Sequence, residues 1–414
     1  MKRMSARTVI VVTVVLLLHT TRCFGYSVLT HEAIIDANWN SVLVPLLKQK
    51  YPAATDEELK NAHAFAYGGC VMPDLGYYPF GSRLFTNLVH YVRSGDFIEN
   101  LFKEASNINE YAFAIGTLCH YYADKYGHSV GVNRSVPLIY PEMKTKFGDT
   151  VTYADDKISH LRTEFSFDVL QTARGNYAPQ AYHDFIGFQV SKELIEKAFL
   201  KTYGLDVNEL FGNFDRAVGS FRWAVKELIP SATRAAWKTR RDEIRQLSPA
   251  VARRSYVYNI RRQKYFKEFG RDRDKATFRE SVLAFVIRIA PKWGPLKILK
   301  FRIPGEEAQK MFLKSFDETV VNYRHEVSRA TNDQIALSNI DWDTGKKTMQ
   351  GEYSLADKTY ADWLMKLKEK KFETISSSMK RNILAFYKNY PASNPDEEQW
   401  QQTSAALEEL KNGR

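Results

Sequence analysis

The sequence predicts an all-α protein, and three observations carry that prediction. Apolar residues recur at helical spacing through most of the chain, and no run alternates as strands do. Thr55-Asp-Glu-Glu58 is a capping box. The run Tyr111 to Cys119 lacks proline and leads into His120-x3-Asp124-x3-His128, three polar residues each about one helical turn apart. A chain of 414 residues, 44% hydrophobic and 26% charged, has the length and the apolar content for a sizeable core, which excludes a disordered chain.

The N-terminus is expected to be a secretory leader. Lys2, Arg3 and Arg7 precede the apolar run Val9 to Leu18, and Cys23-Phe-Gly25 supplies small residues for cleavage before Tyr26. Arg22 argues against a lipoprotein anchor on Cys23, and the apolar run is short for a membrane span. Residues 1–25 are therefore read as a signal peptide, and the protein as secreted or periplasmic. Loss of Lys2, Arg3, Arg7 and Arg22 lowers the net charge from +11 to +7. Cys70 and Cys119 then remain, either as a disulfide or as buried thiols.

From Tyr26 the elements follow in order. Thr30 suits the N-cap of an amphipathic helix running toward Lys48, with His31 in its first turn. The helix begun by Thr55 is expected to end at Gly68-Gly69, with Val71 to Asp74 as a loop. An aromatic patch follows at Tyr77, Tyr78 and Phe80, then the isolated His90 and a helix from Phe97 to Ala105. Ser129 to Thr152, with Pro137 and Pro141, reads as irregular. Helical periodicity returns over Ile158 to Thr172, which carries His160-x3-Glu164, and continues through Val190 to Tyr203 and Val207 to Leu228.

Pro230 suggests a boundary, dividing a domain at 26–228 from a basic helical region at 229–414. Between Ser231 and Gly305, 20 Lys and Arg face 6 Asp and Glu, an excess of +14. Interleaved with apolar patches at Ser281 to Ala290 and after Trp293, this composition suits an anionic membrane surface or a solvated basic face. Further helices are expected, one capped by Ser354 and one after Asp396.

Of nine histidines, His19 lies in the leader, and His63, His183 and His325 lack a ligand-like context. The other five, with nearby acids, give an ordered set: Tyr26, His31, Asp74, His90, His120, Asp124, His128, His160 and Glu164. On one helix, residues i, i+4 and i+8 share a face, so His120, Asp124 and His128 project into one volume. Zinc takes His nitrogen and carboxylate oxygen at about 2.0–2.2 Å, so such a face can hold a metal or bridge two. The plainer reading of the triplet alone is two core histidines and a buried aspartate.

In its ordered features the chain resembles the zinc-dependent phospholipase C family, whose fold group includes the S1/P1-type nucleases. These features are an N-terminal aromatic residue followed closely by His31, the Pro73-Asp74 pair, His90, the triplet at 120–128, and His160-x3-Glu164. The resemblance implies three zinc ions in an all-helical domain. One would take His90, His120 and Asp124, with Asp74 on the metal or its water. A second would take His128, His160 and Glu164. The third would take His31, Asp124 as a bridge, and the amino nitrogen and carbonyl oxygen of Tyr26. The implied activity is phospholipid hydrolysis by a zinc-bound hydroxide oriented or deprotonated by Asp74. The alternatives are a single-strand nuclease and a non-catalytic helical module held by zinc. Glu164, where the nucleases carry Asp, and an excess of positive charge outside 26–228 make nucleic acid the weaker substrate reading.

Overall fold

The computed structural model describes residues 28–178, 180–247, 294–331, 334–389 and 397–412. Tyr26, the expected leader and most of the basic segment, including Ser281 to Ala290, lie outside them. The described residues form helices α1 (Val28–Asn38), α2 (Val44–Lys50), α3 (Asp56–Val71), α4 (Arg83–Tyr91), α5 (Ser94–Glu104) and α6 (Ile108–Tyr126). After these come α7 (Asn133–Ile139), α8 (Pro141–Phe147), α9 (Lys157–Arg174), α10 (Gln180–Ile186), α11 (Lys192–Tyr203), α12 (Val207–Leu210), α13 (Phe214–Trp223), α14 (Ile229–Thr239) and α15 (Arg241–Leu247). The set closes with α16 (Glu306–Thr331), α17 (Ser354–Glu369), α18 (Ser377–Phe386) and α19 (Glu397–Asn412). Extended pairing among the described residues is limited to one bridge, Ile340 with Lys347. The fold class is all-α, and none of these helices is long and apolar enough to cross a membrane.

Helices α3 and α6 are the central pair, and glycines let them touch. A Cβ on Gly69 would stand 2.0 Å from the Phe113 carbonyl oxygen, and one on Gly116 would stand 2.1 Å from that of Ala66. This corrects the expected stop at Gly68-Gly69. The helix runs on to Val71 because close backbone approach, not chain reversal, is what those glycines serve. Thr55 and Glu58 form the capping box as expected.

Helix α1 begins before its expected cap. Thr30 lies inside it, where its hydroxyl donates to Asp168 at 2.9 Å and also bonds Tyr177. Ser129 to Thr152 is more ordered than expected. It comprises a π-helical turn at Gly127–Val132 and the short α7 and α8, with Pro141 in the first turn of α8, where no amide donor is needed. The Met72–Tyr77 segment is a 3₁₀ helix.

Packing continues past Leu228. A π-helical turn at Ala224–Leu228 runs directly into α14, and Pro230 sits in the first turn of that helix. Helix α16 packs on α1, α2, α6 and α7, and α17 packs on α4. One hydrophobic core reaches from Val28 through Tyr323, Trp342 and Trp363 to Leu410.

Candidate metal centre

Each helix contributes donors because local sequence turns them inward. Helix α6 presents His120 and Asp124 one turn apart from a fully buried face. The π turn then adds a residue to the winding, and His128 enters the same volume on it. Helix α1 brings His31, the 3₁₀ segment Asp74, α4 His90, and α9 both His160 and Glu164. All eight of these side chains are buried.

Asp124 is the hub. Its Oδ1 lies 3.2 Å from His31 Nε2 and 3.4 Å from His128 Nε2, and its Oδ2 lies 3.0 Å from His120 Nε2 and 3.5 Å from His90 Nε2. His90 Nε2 is also 3.4 Å from Asp74 Oδ1. On the far side His160 Nδ1 lies 3.0 Å, and His128 Nδ1 3.5 Å, from Glu164 Oε1. Donor atoms within 4.8 Å of one another form three groups: His31, His120 and Asp124; Asp74, His90 and His120; His128, His160 and Glu164. The third group coincides with an expected ligand set. In the other two, His120 is shared where Asp124 alone was expected to bridge.

Three ring orientations are set by hydrogen bonds away from the centre. His90 Nδ1 and His120 Nδ1 each lie 2.8 Å from a main-chain carbonyl, of Thr86 and Cys70 respectively. Carbonyls only accept, so each Nδ1 donates its proton outward and each Nε2 is left facing the centre. Those two Nε2 atoms are 3.4 Å apart. His160 inverts the arrangement, because its Nε2 meets Asn133 Oδ1 at 2.9 Å and its Nδ1 faces Glu164.

These donors fit a metal. Two tetrahedral zinc ligands at about 2.0–2.1 Å from the ion stand roughly 3.3 Å apart, close to the separations observed here. Both Glu164 oxygens, His160 Nδ1 and Asp74 Oδ1 are buried and form no hydrogen bond. Buried polar atoms of that kind are costly unless a cation completes them.

Electrostatics of the metal-free chain agree. Burial opposes charge on Asp124, but His120 and His128 outweigh it and hold the carboxyl well below its usual range. Burial also opposes charge on His90, but the nearby carboxylates of Asp124 and Asp74 push it up to about 10. Burial, reinforced by the neighbouring His128, lowers His160 well below the ordinary imidazole value. Burial, with Asp124 and Asp74 nearby, raises Glu164 well above the carboxylate range. A neutral imidazole and a carboxyl that ionises only beside a cation make a suitable ligand pair.

Three surrounding residues escaped the sequence reading. The Trp342 ring lies 4.7 Å from that of His90 and 5.2 Å from that of His120, and its amide donates to the His90 carbonyl. Asp343 accepts from Tyr91 and Tyr353, and its carbonyl accepts from Asn133 Nδ2 at 2.7 Å. Asn133 thereby ties the His160 ring to a loop some two hundred residues downstream. Of the three, Asn133 lies nearest the ligand motif in sequence, five residues past His128. Of the aromatic patch, Tyr77 and Tyr78 are buried, whereas Phe80 is exposed beneath Arg216. Cys70 and Cys119 are free buried thiols.

The all-helical scaffold thus encloses three groups of imidazole and carboxylate donors able to hold a metal ion. Residues 30–213, somewhat under half of the chain, match the family described as zinc dependent phospholipase C. No curated protein and no solved structure matches the chain. That description names a zinc-dependent phospholipase C activity for the family.

Proposed function

We propose that this chain is a secreted phosphodiesterase that hydrolyses phospholipids at a zinc centre of three ions. The observation that carries the reading is the convergence of eight buried donor side chains into three groups, each of which could hold a metal ion. Bound zinc would lower the pKa of water toward 7 and neutralise charge on the phosphate and the leaving alkoxide. His90, His120 and Asp124, with Asp74, would hold one ion; His128, His160 and Glu164 a second; His31 and Asp124 the third. Tyr26 precedes His31 by five residues, and its free amine, released by cleavage after Gly25, would complete the third site. Asp74 has the role of orienting or deprotonating the attacking water, because its buried Oδ1 makes no hydrogen bond within the chain. The +14 segment serves as an anchor to anionic lipid surfaces.

The test is incubation of the zinc-loaded protein with phosphatidylcholine, phosphatidylinositol and single-stranded DNA, with and without chelator. Chelator-sensitive release of diacylglycerol is the expected result. Nucleotide release without diacylglycerol would make the chain a nuclease. Full zinc loading with neither product would make it a zinc-held binding module.

A further inference from the structure

Helix α1 has a second polar face. His31 points to the metal centre, whereas Leu29, Glu32, Ala33 and Asp36, at i, i+3, i+4 and i+7, line a cavity of about 340 Å³ on the opposite side. Its other walls come from the end of α9, from α10 and from α14, so it is separate from the metal donors. That volume is at the lower end of small-molecule sites.

The lining is built and buried. Asp36 Oδ1 accepts from the Tyr67 hydroxyl at 2.5 Å and lies 3.0 Å from His63 Nε2, and Glu32 Oε1 lies 3.0 Å from His183 Nε2. Both carboxylates are thus engaged by side chains of the fold. His183 Nδ1 and Thr172 Oγ1, by contrast, are buried, belong to residues lining the cavity and form no hydrogen bond. His183 is 5% exposed, so water does not readily satisfy it. Arg174 and Arg234 line the same space, as do the rings of Tyr177 and Trp237. Burial opposes charge on His183, but Glu32 outweighs it and raises its pKa, which favours the imidazolium, the form in which Nδ1 also carries a proton.

We propose that this cavity is a second ligand site, taking a small organic oxyanion whose oxygens meet His183 Nδ1, the Thr172 hydroxyl and the two guanidiniums. Phosphate monoesters and carboxylates share that chemistry, and the aromatic rings take the organic part. Because Glu32 and Asp36 share α1 with His31, the ligand braces the helix that carries a metal donor.

The experiment is calorimetric titration of the zinc-loaded full-length chain with inorganic phosphate, phosphocholine and acetate. It is repeated on Thr172→Val, on His183→Gln and on Asp124→Asn. Thr172→Val keeps shape and removes the hydroxyl; His183→Gln keeps a donor near Glu32 and removes the ring Nδ1. Saturable binding of at least one probe is expected, weakened about tenfold or more in each cavity variant and retained in Asp124→Asn. The tightest probe identifies the source as free phosphate, phosphomonoester or carboxylate. If His183→Gln does not fold, the near-isosteric Thr172→Val decides. Absence of saturable binding by all three probes overturns the proposal. So does equal affinity in the wild type and the cavity variants, or loss of binding in Asp124→Asn alone, which would put the anion on the metals.

Discussion

Asp124→Asn is the most informative substitution in this chain. It keeps the size of the side chain and removes one negative charge from a site where four imidazole nitrogens lie within 3.0 to 3.5 Å of its two oxygens. A contact between charged, buried partners contributes about 1.5–3 kcal/mol. Asp124 is the proposed ligand of two ions, so each should lose roughly that much, or on the order of tenfold to a hundredfold in affinity. Titration against a competing chelator, with elemental analysis of the equilibrated protein, reads this directly. The expected outcome is loss of two zinc ions, retention of the one held by His128, His160 and Glu164, and helical circular dichroism like that of the wild type. Diacylglycerol release should fall at least a hundredfold, since the reaction needs the vacated ions. Wild-type zinc content and activity in Asp124→Asn would refute the bridging role. Loss of a single ion would refute the sharing.

The remaining predictions concern protons, packing and outer contacts. In the chelated chain His90 titrates near 10, raised from 6.5, so its contribution to stability is full below pH 6.5 and is lost as pH rises through 10. Asp124 has the opposite sign: its lowered pKa stabilises above the ordinary carboxylate value and is lost toward strong acid. Urea midpoints of the chelated chain across pH should therefore fall at both ends, and zinc uptake near pH 8 should release protons measurable by pH-stat. Asn133→Ala frees the His160 tautomer and should weaken the zinc at His128, His160 and Glu164 by about 10–100-fold while leaving the other two unchanged. Trp342→Ala empties a fully buried site against two ligand rings and should cost about 3–5 kcal/mol in urea unfolding, with Trp342→Phe costing less. Gly116→Ala places a Cβ 2.1 Å from a carbonyl oxygen of α3, so α3 and α6 must part; about 1–3 kcal/mol or more should be lost, read as a lowered thermal midpoint.

The helical class, the capping box at Thr55 and the ordered donors from His31 to Glu164 were legible in the sequence, because each rests on local spacing. Helical periodicity places residues one turn apart on a common face whatever packs against it, so His120, Asp124 and His128 could be grouped before any fold was known. The local rules failed where tertiary packing overrode them. Gly68-Gly69 looked like a helix stop and is a helix crossing, because only contact with α6 shows why a side chain is excluded there. Ser129 to Thr152 looked irregular and is wound into short helices closed against α9 and α16. Trp342 and Asp343 had no local signal at all. They reach the metal centre through a loop far along the chain, and a contact of that range comes from chain topology and burial, which spacing does not encode. The chemistry of the donors is thus written locally, whereas their enclosure, their ring orientations and the cavity behind α1 exist only once the helices are packed.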